Sequence, residues 1–433
     1  MERSAGVSQQ IAAGRASFWE HRTPPNHSYQ DQTDLAQVDW EGNIVWRFSR
    51  LEHIADPGQE PRWYARQHHD FQREGNPVGY YVPGQTPTND RGKTLLLAHE
   101  DVRNPKISGQ MLLDDKLIEV SWEGEILWSW SAHEHFDELG FDDAAKTVLF
   151  RDPNLRKLAG GAVGDWLHIN SASFAGPNRH FDAGDPRFHP DNIIWDSREA
   201  NIIAITDRKT GNITWQLGPN YDGSEAERKL GWIIGQHHAH IISRGLPGEG
   251  NLLVFDNGGW AGYGKPNPAS PTGRQNARRD YLRVLEIDPI SLQIAWQYTP
   301  VEAGFVIPLD ASRFYSPFVS SAQRLPNGNT LITEGSDGRI FEVTRAHELV
   351  WEYISPYWGK RGLNMVYRAY RAPYTWVPQR PAPIEMPIPR SERSTFRVRG
   401  AAPPGREREI SVPGVLADQP DAAFCVVPSN GAP

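Results

Sequence analysis

One hairpin pattern returns five times along this chain, and it constrains the fold more than any other feature. The first copy runs Val38 to Phe48 around a Glu41-Gly42-Asn43 turn and carries Trp46. The others carry Trp128 (Val120–Trp130), Trp215 (Ile205–Leu217), Trp296 (Ile287–Tyr298) and Trp351 (Val343–Tyr353). Each reads as a strand, a tight turn and a second strand bearing the indole. Alternation around each Trp fits strands with one face buried. Turns such as Lys209-Thr210-Gly211-Asn212 supply the positive φ that a hairpin needs. The recurring Trp residues are therefore read as core. Further strands, Lys93–Leu97, Asn251–Phe255 and Asn329–Thr333, fall between the copies.

Repeated four-stranded units of this kind make a β-propeller. Successive anchors lie 82, 87, 81 and 55 residues apart. A blade takes about 40–50 residues, so the surplus implies long loops, which usually lie on one face and carry function. The 16 Trp, 39 Gly and 35 Pro point the same way, towards many turns and little long helix. Residues 134–152 are the best helix candidate. Residues 1–36 read as an irregular N-terminal segment, 37–377 as the propeller domain and 378–433 as a Pro/Arg-rich extended tail.

The net charge of −8 argues against a general nucleic-acid or anionic-membrane surface. No stretch reaches the roughly 18 apolar residues of a membrane span. The polar start lacks an apolar signal core, which leads to the expectation of a cytoplasmic protein unless a leader was removed. The single Cys425 excludes an internal disulfide and a cysteine-built metal site.

Chemistry concentrates in histidines. Gly235 to His240 places His237, His238 and His240 within six residues. Gln67-His68-His69-Asp70 and Asp165-Trp166-Leu167-His168-Ile169-Asn170 echo it. Imidazole at neutral pH binds metals, carries protons and attacks electrophiles. Residues 251–258 read as a strand closing on an Asp256-Asn257-Gly258 turn. These segments are expected to converge on one polar site, with His168, His238 and at least one of His68, His69 or His240 around a central pocket.

The run Asp165–Ser171, the stretch 202–218, Gln236–Ala239, Asn251–Gly258 and Ala322–Ile332 together resemble the bacterial arylsulfotransferase family over residues 37–356. The resemblance implies a six-bladed propeller whose central site moves a sulfuryl group between phenols through a transiently sulfated histidine. It implies no nucleotide cofactor. His168 and Asn170 match the family's Asp-Trp-x-His-x-Asn segment, His237 or His238 its Gln-His segment, and Arg198 another family position. The family's nucleophilic histidine comes from a later blade. Here no histidine lies between His240 and His347, and residues 314–323 offer Tyr315 and serines. The family places an arginine just after the Asp-Asn-Gly turn, where this chain continues Gly259-Trp260.

These departures favour metal-assisted cleavage, as a hydrolase or lyase, of an aromatic or other anionic small substrate. One divalent ion (Zn, Cu, Fe or Ni) would sit on His68, His168 and His238. Aryl sulfotransfer without a nucleotide donor is the alternative, and a non-catalytic binding platform the second alternative. The expected catalytic residues are His168, His238, Asn170, Arg198 and Tyr315. His69, His240, Asn257, Trp260 and Gln323 are expected to bind substrate.

Overall fold

A computed structural model describes residues 35–39, 41–54, 62–154, 164–268, 270–359, 363–376 and 384. The protein is mostly β. Two hairpins come first: β1 (Leu35–Val38) with β2 (Ile44–Phe48), and β3 (Leu51–Ile54) with β4 (Arg62–Ala65). Four antiparallel four-stranded sheets follow. The first holds β5 (Gln67–Arg73), β6 (Thr94–Val102), β7 (Leu112–Val120) and β8 (Ile126–Ser131). The second holds β9 (Ile169–Phe174), β10 (Ile193–Ser197), β11 (Ile202–Thr206) and β12 (Ile213–Leu217). In the third, β13 (His237–Ile241) and β14 (Leu252–Asp256) are followed by an inserted hairpin, β15 (Gly259–Tyr263) and β16 (Arg274–Arg279). That sheet then closes with β17 (Arg283–Ile287) and β18 (Ile294–Tyr298). The fourth holds β19 (Ser321–Arg324), β20 (Thr330–Glu334), β21 (Arg339–Val343) and β22 (Leu349–Ile354).

The sheets stack in chain order, and strand alternation explains how. Leu95 and Leu97 of β6 face the core shared with the second sheet, whereas Leu96 and Ala98 face the core shared with the first hairpin. Ile193 and Ile194 of β10 divide between neighbouring cores in the same way, as do Leu252 and Leu253 of β14. Strands buried on both faces read as continuous apolar runs, which accounts for Leu95-Leu96-Leu97. The inner strands meet side by side: β9 lies against β5 and β13, and β13 against β19.

All five Trp copies fold as hairpins with a register shift just beyond the Trp pair, such as Glu286↔Trp296 before Ile287↔Ile294. Four indoles then bond the hairpin turn of the next repeat. Trp46 Nε1 donates to Trp122 O at 2.7 Å, Trp130 to Gly211 O at 2.9 Å, Trp215 to Pro289 O at 2.9 Å and Trp296 to Arg345 O at 3.1 Å. In the second copy the core indole is Trp130, since Trp128 is only half-buried. Trp351, in the last copy, is 41% exposed, which corrects its assignment to the core.

Two boundaries also shift. The first strand begins at Leu35, two residues before the expected start of the propeller domain at 37. The 134–152 helix is two pieces, a 3-10 turn at Ala132–Glu138 and an α-helix at Asp143–Arg151, separated at Gly140 with φ 71°. Asp142 caps the second by accepting from Ala145 N at 2.7 Å. Residues 1–34 and, apart from 384, 378–433 lie outside the described residues. No helix among those described is long and apolar enough to cross a membrane.

Candidate functional site

Each inner strand starts with an unusual backbone step. His69, His168, His238 and Ser320 take φ of 48°, 54°, 58° and 90°. They sit at equivalent places in four successive sheets, beside register shifts in β5 and β13 and immediately before β9 and β19. Left-handed φ outside glycine costs about 1–3 kcal/mol and clusters at functional sites. A bulge also re-aims a side chain. Here it turns one residue per sheet out of the strand's alternation.

His168 is the best-oriented of these. Its Nδ1 lies 2.6 Å from Asp165 Oδ2, both groups buried. Burial works to raise the Asp165 carboxyl, but the adjoining His168 ring and its bond outweigh it and hold the carboxyl below its ordinary range. A carboxylate only accepts, so Nδ1 carries the hydrogen, and in the neutral ring the lone pair is on Nε2. The ring of His69 meets that of His168 edge-on, with centroids 4.9 Å apart.

His69 is backed by a longer relay. Its Nδ1 lies 2.8 Å from His68 Nδ1, and His68 Nε2 faces Asp115 Oδ1 at 3.5 Å. The Asp115 contact is electrostatic rather than a hydrogen bond; in the tautomer with the hydrogen on His68 Nε2, His69 donates through Nδ1 and keeps a lone pair on Nε2. Burial, followed by the surrounding imidazoles, pushes His68 and His69 well below the usual imidazole range, so both are neutral at pH 7. Asp115 also accepts from Ile169 N at 3.0 Å, tying the relay to the strand behind His168.

The expected metal trio does not form one group. The ligand atoms of His68, His99 and Asp115 all lie within 4.8 Å of one another, and this grouping leaves out His168 and His238. The His68 and His99 rings are stacked, centroids 3.6 Å apart and planes 12° apart. Their lone pairs therefore run side by side. To converge on an ion about 2.0–2.1 Å from each nitrogen, the rings would have to turn.

His238 is committed elsewhere. Its Nδ1 donates to Ala322 O at 3.0 Å and its Nε2 accepts from the Tyr370 hydroxyl at 2.8 Å. His240 bonds His238 O through Nδ1 at 2.9 Å, and burial lowers it to about 4. His237 is a brace, with Nδ1 2.8 Å from Asn257 Oδ1 and Nε2 accepting from Val319 N at 3.2 Å. Asn257 spends its amide on Ser316 O and Val319 O, so it holds the loop before β19 rather than facing a substrate.

The remaining expected residues are spread about this centre. Asn170 donates to Gln236 O at 3.0 Å, joining β9 to the third sheet. Arg198 pairs with Glu199, and its charge is felt at His237 and Asp165. Tyr315 is half-buried, its hydroxyl against Gly259. The Trp260 side chain lies outside the described residues.

Sequence reasoning missed a strap over residues 363–376. Val366 N donates to Gly335 O, and Ser320 N donates to Tyr367 O. The Tyr367 hydroxyl donates to Asn170 O at 3.1 Å, and Arg368 Nη1 donates to Asp70 Oδ1 at 2.7 Å. Gln323, expected on substrate, instead clasps Arg371 through both backbone groups. One segment thus touches the inner strands of all four sheets. Its only sequence signal is the alternation of Tyr367, Arg368, Tyr370 and Arg371.

The arylsulfotransferase (ASST) family profile matches residues 85–354. His168, His237 and His238 lie inside the match; His68, His69 and the strap lie outside it. No curated protein matches the chain. Among solved structures, a protein of unknown function from Bacteroides caccae is 12% identical, with TM-score 0.32, covering 79% of this chain and 95% of its own. Virginiamycin B lyase from Staphylococcus aureus is 14% identical, with TM-score 0.30, covering 77% and 73%. The Cps50 (Swd1) β-propeller domain of Myceliophteria thermophila is 9% identical, with TM-score 0.32, covering 77% and 88%.

Proposed function

From the premise that this chain belongs to the arylsulfotransferase family, we propose that it is a β-propeller enzyme moving a sulfuryl group from an aryl sulfate to a phenol. The observation that carries this reading is the buried Asp165–His168 pair, which orients the ring so that Nδ1 faces the carboxylate and Nε2 points away from it. The Nε2 lone pair of His168 attacks sulfur, and the S–O bond to the aryl oxygen breaks with its electrons leaving on the phenolate. An acceptor phenol then gives its proton to His69 Nε2 while its oxygen attacks sulfur and the N–S bond breaks. His69 passes that proton to the departed phenolate, so the sum is one ester and one phenol exchanged. The four sheets and the β1–β2 hairpin are five of the six blades in this reading, with β3–β4 in the sixth.

Metal-assisted cleavage is the second reading, favoured by the grouping of His68, His99 and Asp115. One experiment separates the two. The protein, purified without a His-tag, is given 4-nitrophenyl sulfate with and without phenol, before and after chelation. Transfer through histidine gives nitrophenol release that needs phenol, survives the chelator and falls by a factor on the order of 10³ or more in His168→Ala. Release that needs no acceptor and stops with the chelator would replace it with metal-assisted cleavage.

A further inference from the structure

Arg368 is a buried cation with its bonding half spent. The side chain is 10% exposed. Nη1 serves Asp70 Oδ1 at 2.7 Å and the Tyr370 hydroxyl at 3.2 Å. Nε and Nη2 are buried and have no hydrogen-bond partner among the described residues. A buried N–H left unmet costs about 1–3 kcal/mol, so it calls for a partner, and a bound ion is one that can supply it. The two unmet groups form one edge of the guanidinium, and that edge matches two oxygens of an oxyanion side-on. The Asp70 contact is made at Nη1, off that edge. The position is central: Asp70 follows His69, the Tyr370 hydroxyl also bonds His238, and the Arg368 charge is felt at both histidines.

We infer that Arg368 forms an oxyanion site, taking the sulfuryl group of a sulfate monoester or free sulfate through Nε and Nη2. The strap is then the element that recognises the charged end of the substrate. It supplies from beyond residue 354 the cation that the turn at Gly259-Trp260 lacks. The inference rests on the proposed function for its organic ligand, but not for its anion.

The test is calorimetric binding of sodium sulfate, against sodium chloride at equal ionic strength, to the full-length protein. Wild type binds sulfate, and Arg368→Gln binds it about tenfold to a hundredfold more weakly, the range of one charged bidentate contact. Arg368→Lys keeps the charge without the fork. If the Gln variant does not fold, as judged by circular dichroism, a loss of at least tenfold in the Lys variant carries the same conclusion. Sulfate binding equal in wild type and Arg368→Lys, or absent from wild type, overturns the inference. Arg368-dependent sulfate binding in a protein that turns over no aryl sulfate would leave this site standing and remove the proposed function. Turnover with KM unchanged in Arg368→Lys would do the reverse.

Discussion

Replacing Asp165 with Asn keeps the shape of the site and removes one charge and one acceptor. Bonding of His168 Nε2 to sulfur places a positive charge on the ring, so the carboxylate acts mostly on the charged species. With charge centres about 4 Å apart and an effective dielectric near 20, that attraction is about 4 kcal/mol. At about 1.4 kcal/mol per tenfold, its full loss slows formation of the sulfated ring by about 10³. The transition state carries part of that charge, so kcat/KM should fall about 10²- to 10³-fold. An Asn amide turned towards the ring would also donate to Nδ1 and move the hydrogen to Nε2, taking away the nucleophile. The substitution should fold, because Asn154 holds the Asp165 carbonyl rather than its carboxylate. A carboxyl lowered in the folded state stabilises above its unfolded pKa, and that stabilisation is lost as pH falls through the folded value. The variant should therefore melt somewhat lower at pH 7 and converge with wild type in acid. The assay is nitrophenol release at saturating phenol, with mass spectrometry of the peptide bearing His168 to find the sulfated ring. Activity within threefold of wild type would refute the role given to this pair.

Two further outcomes concern the fold. Trp215→Phe, which loses the bond to Pro289 O across two repeats, should cost about 1–3 kcal/mol in urea unfolding. Trp351→Phe, at the exposed end of the series, should stay within about 0.5 kcal/mol; equal costs would remove the indole chain as a structural tie. His240 is lowered to about 4 against 6.5 for the unfolded chain. Between those values the unfolded state binds the extra proton, so stability falls as pH drops, by about 3 kcal/mol in total for this residue. His240→Asn should narrow its deficit relative to wild type as melting is followed from pH 7 down to 4.5, and a constant deficit would contradict the assignment.

Legibility followed the range of the interactions. The Trp hairpins are local, so their turns and alternation could be read directly, and each one is present. His168 was singled out in the sequence, but its partner Asp165, three residues earlier on the same short segment, was not. His238 was expected as a catalytic residue and metal ligand, but both its ring nitrogens are occupied, one by the hydroxyl of Tyr370, 132 residues later. His68, His99 and Asp115 come together only through the pairing of β5, β6 and β7, with His99 directly opposite Asp115. That register is invisible to any single segment. The broken helix was an error of another kind: Gly140 and the capping Asp142 were in view, and the apolar spacing was followed past them.

The four left-handed positions explain why the chemistry falls where it does. A propeller repeats its backbone more faithfully than its sequence, so every inner strand can aim one side chain away from the ladder, whatever that side chain is. In the third sheet the aimed ring is locked between Ala322 O and the strap. In the fourth the residue is Ser320, whose hydroxyl is held 2.8 Å from Ser316 Oγ and accepts from Gly335 N, so it closes a turn and offers no imidazole. In the first and second sheets the aimed residues are His69 and His168, and those two rings meet each other. Each is backed by a carboxylate, Asp165 directly and Asp115 through His68. A nucleophile and a base need such a neighbour relation more than they need a particular blade. In the proposed transfer the nucleophile and the base therefore lie at the β5–β9 junction, in place of the later histidine that the family resemblance implies.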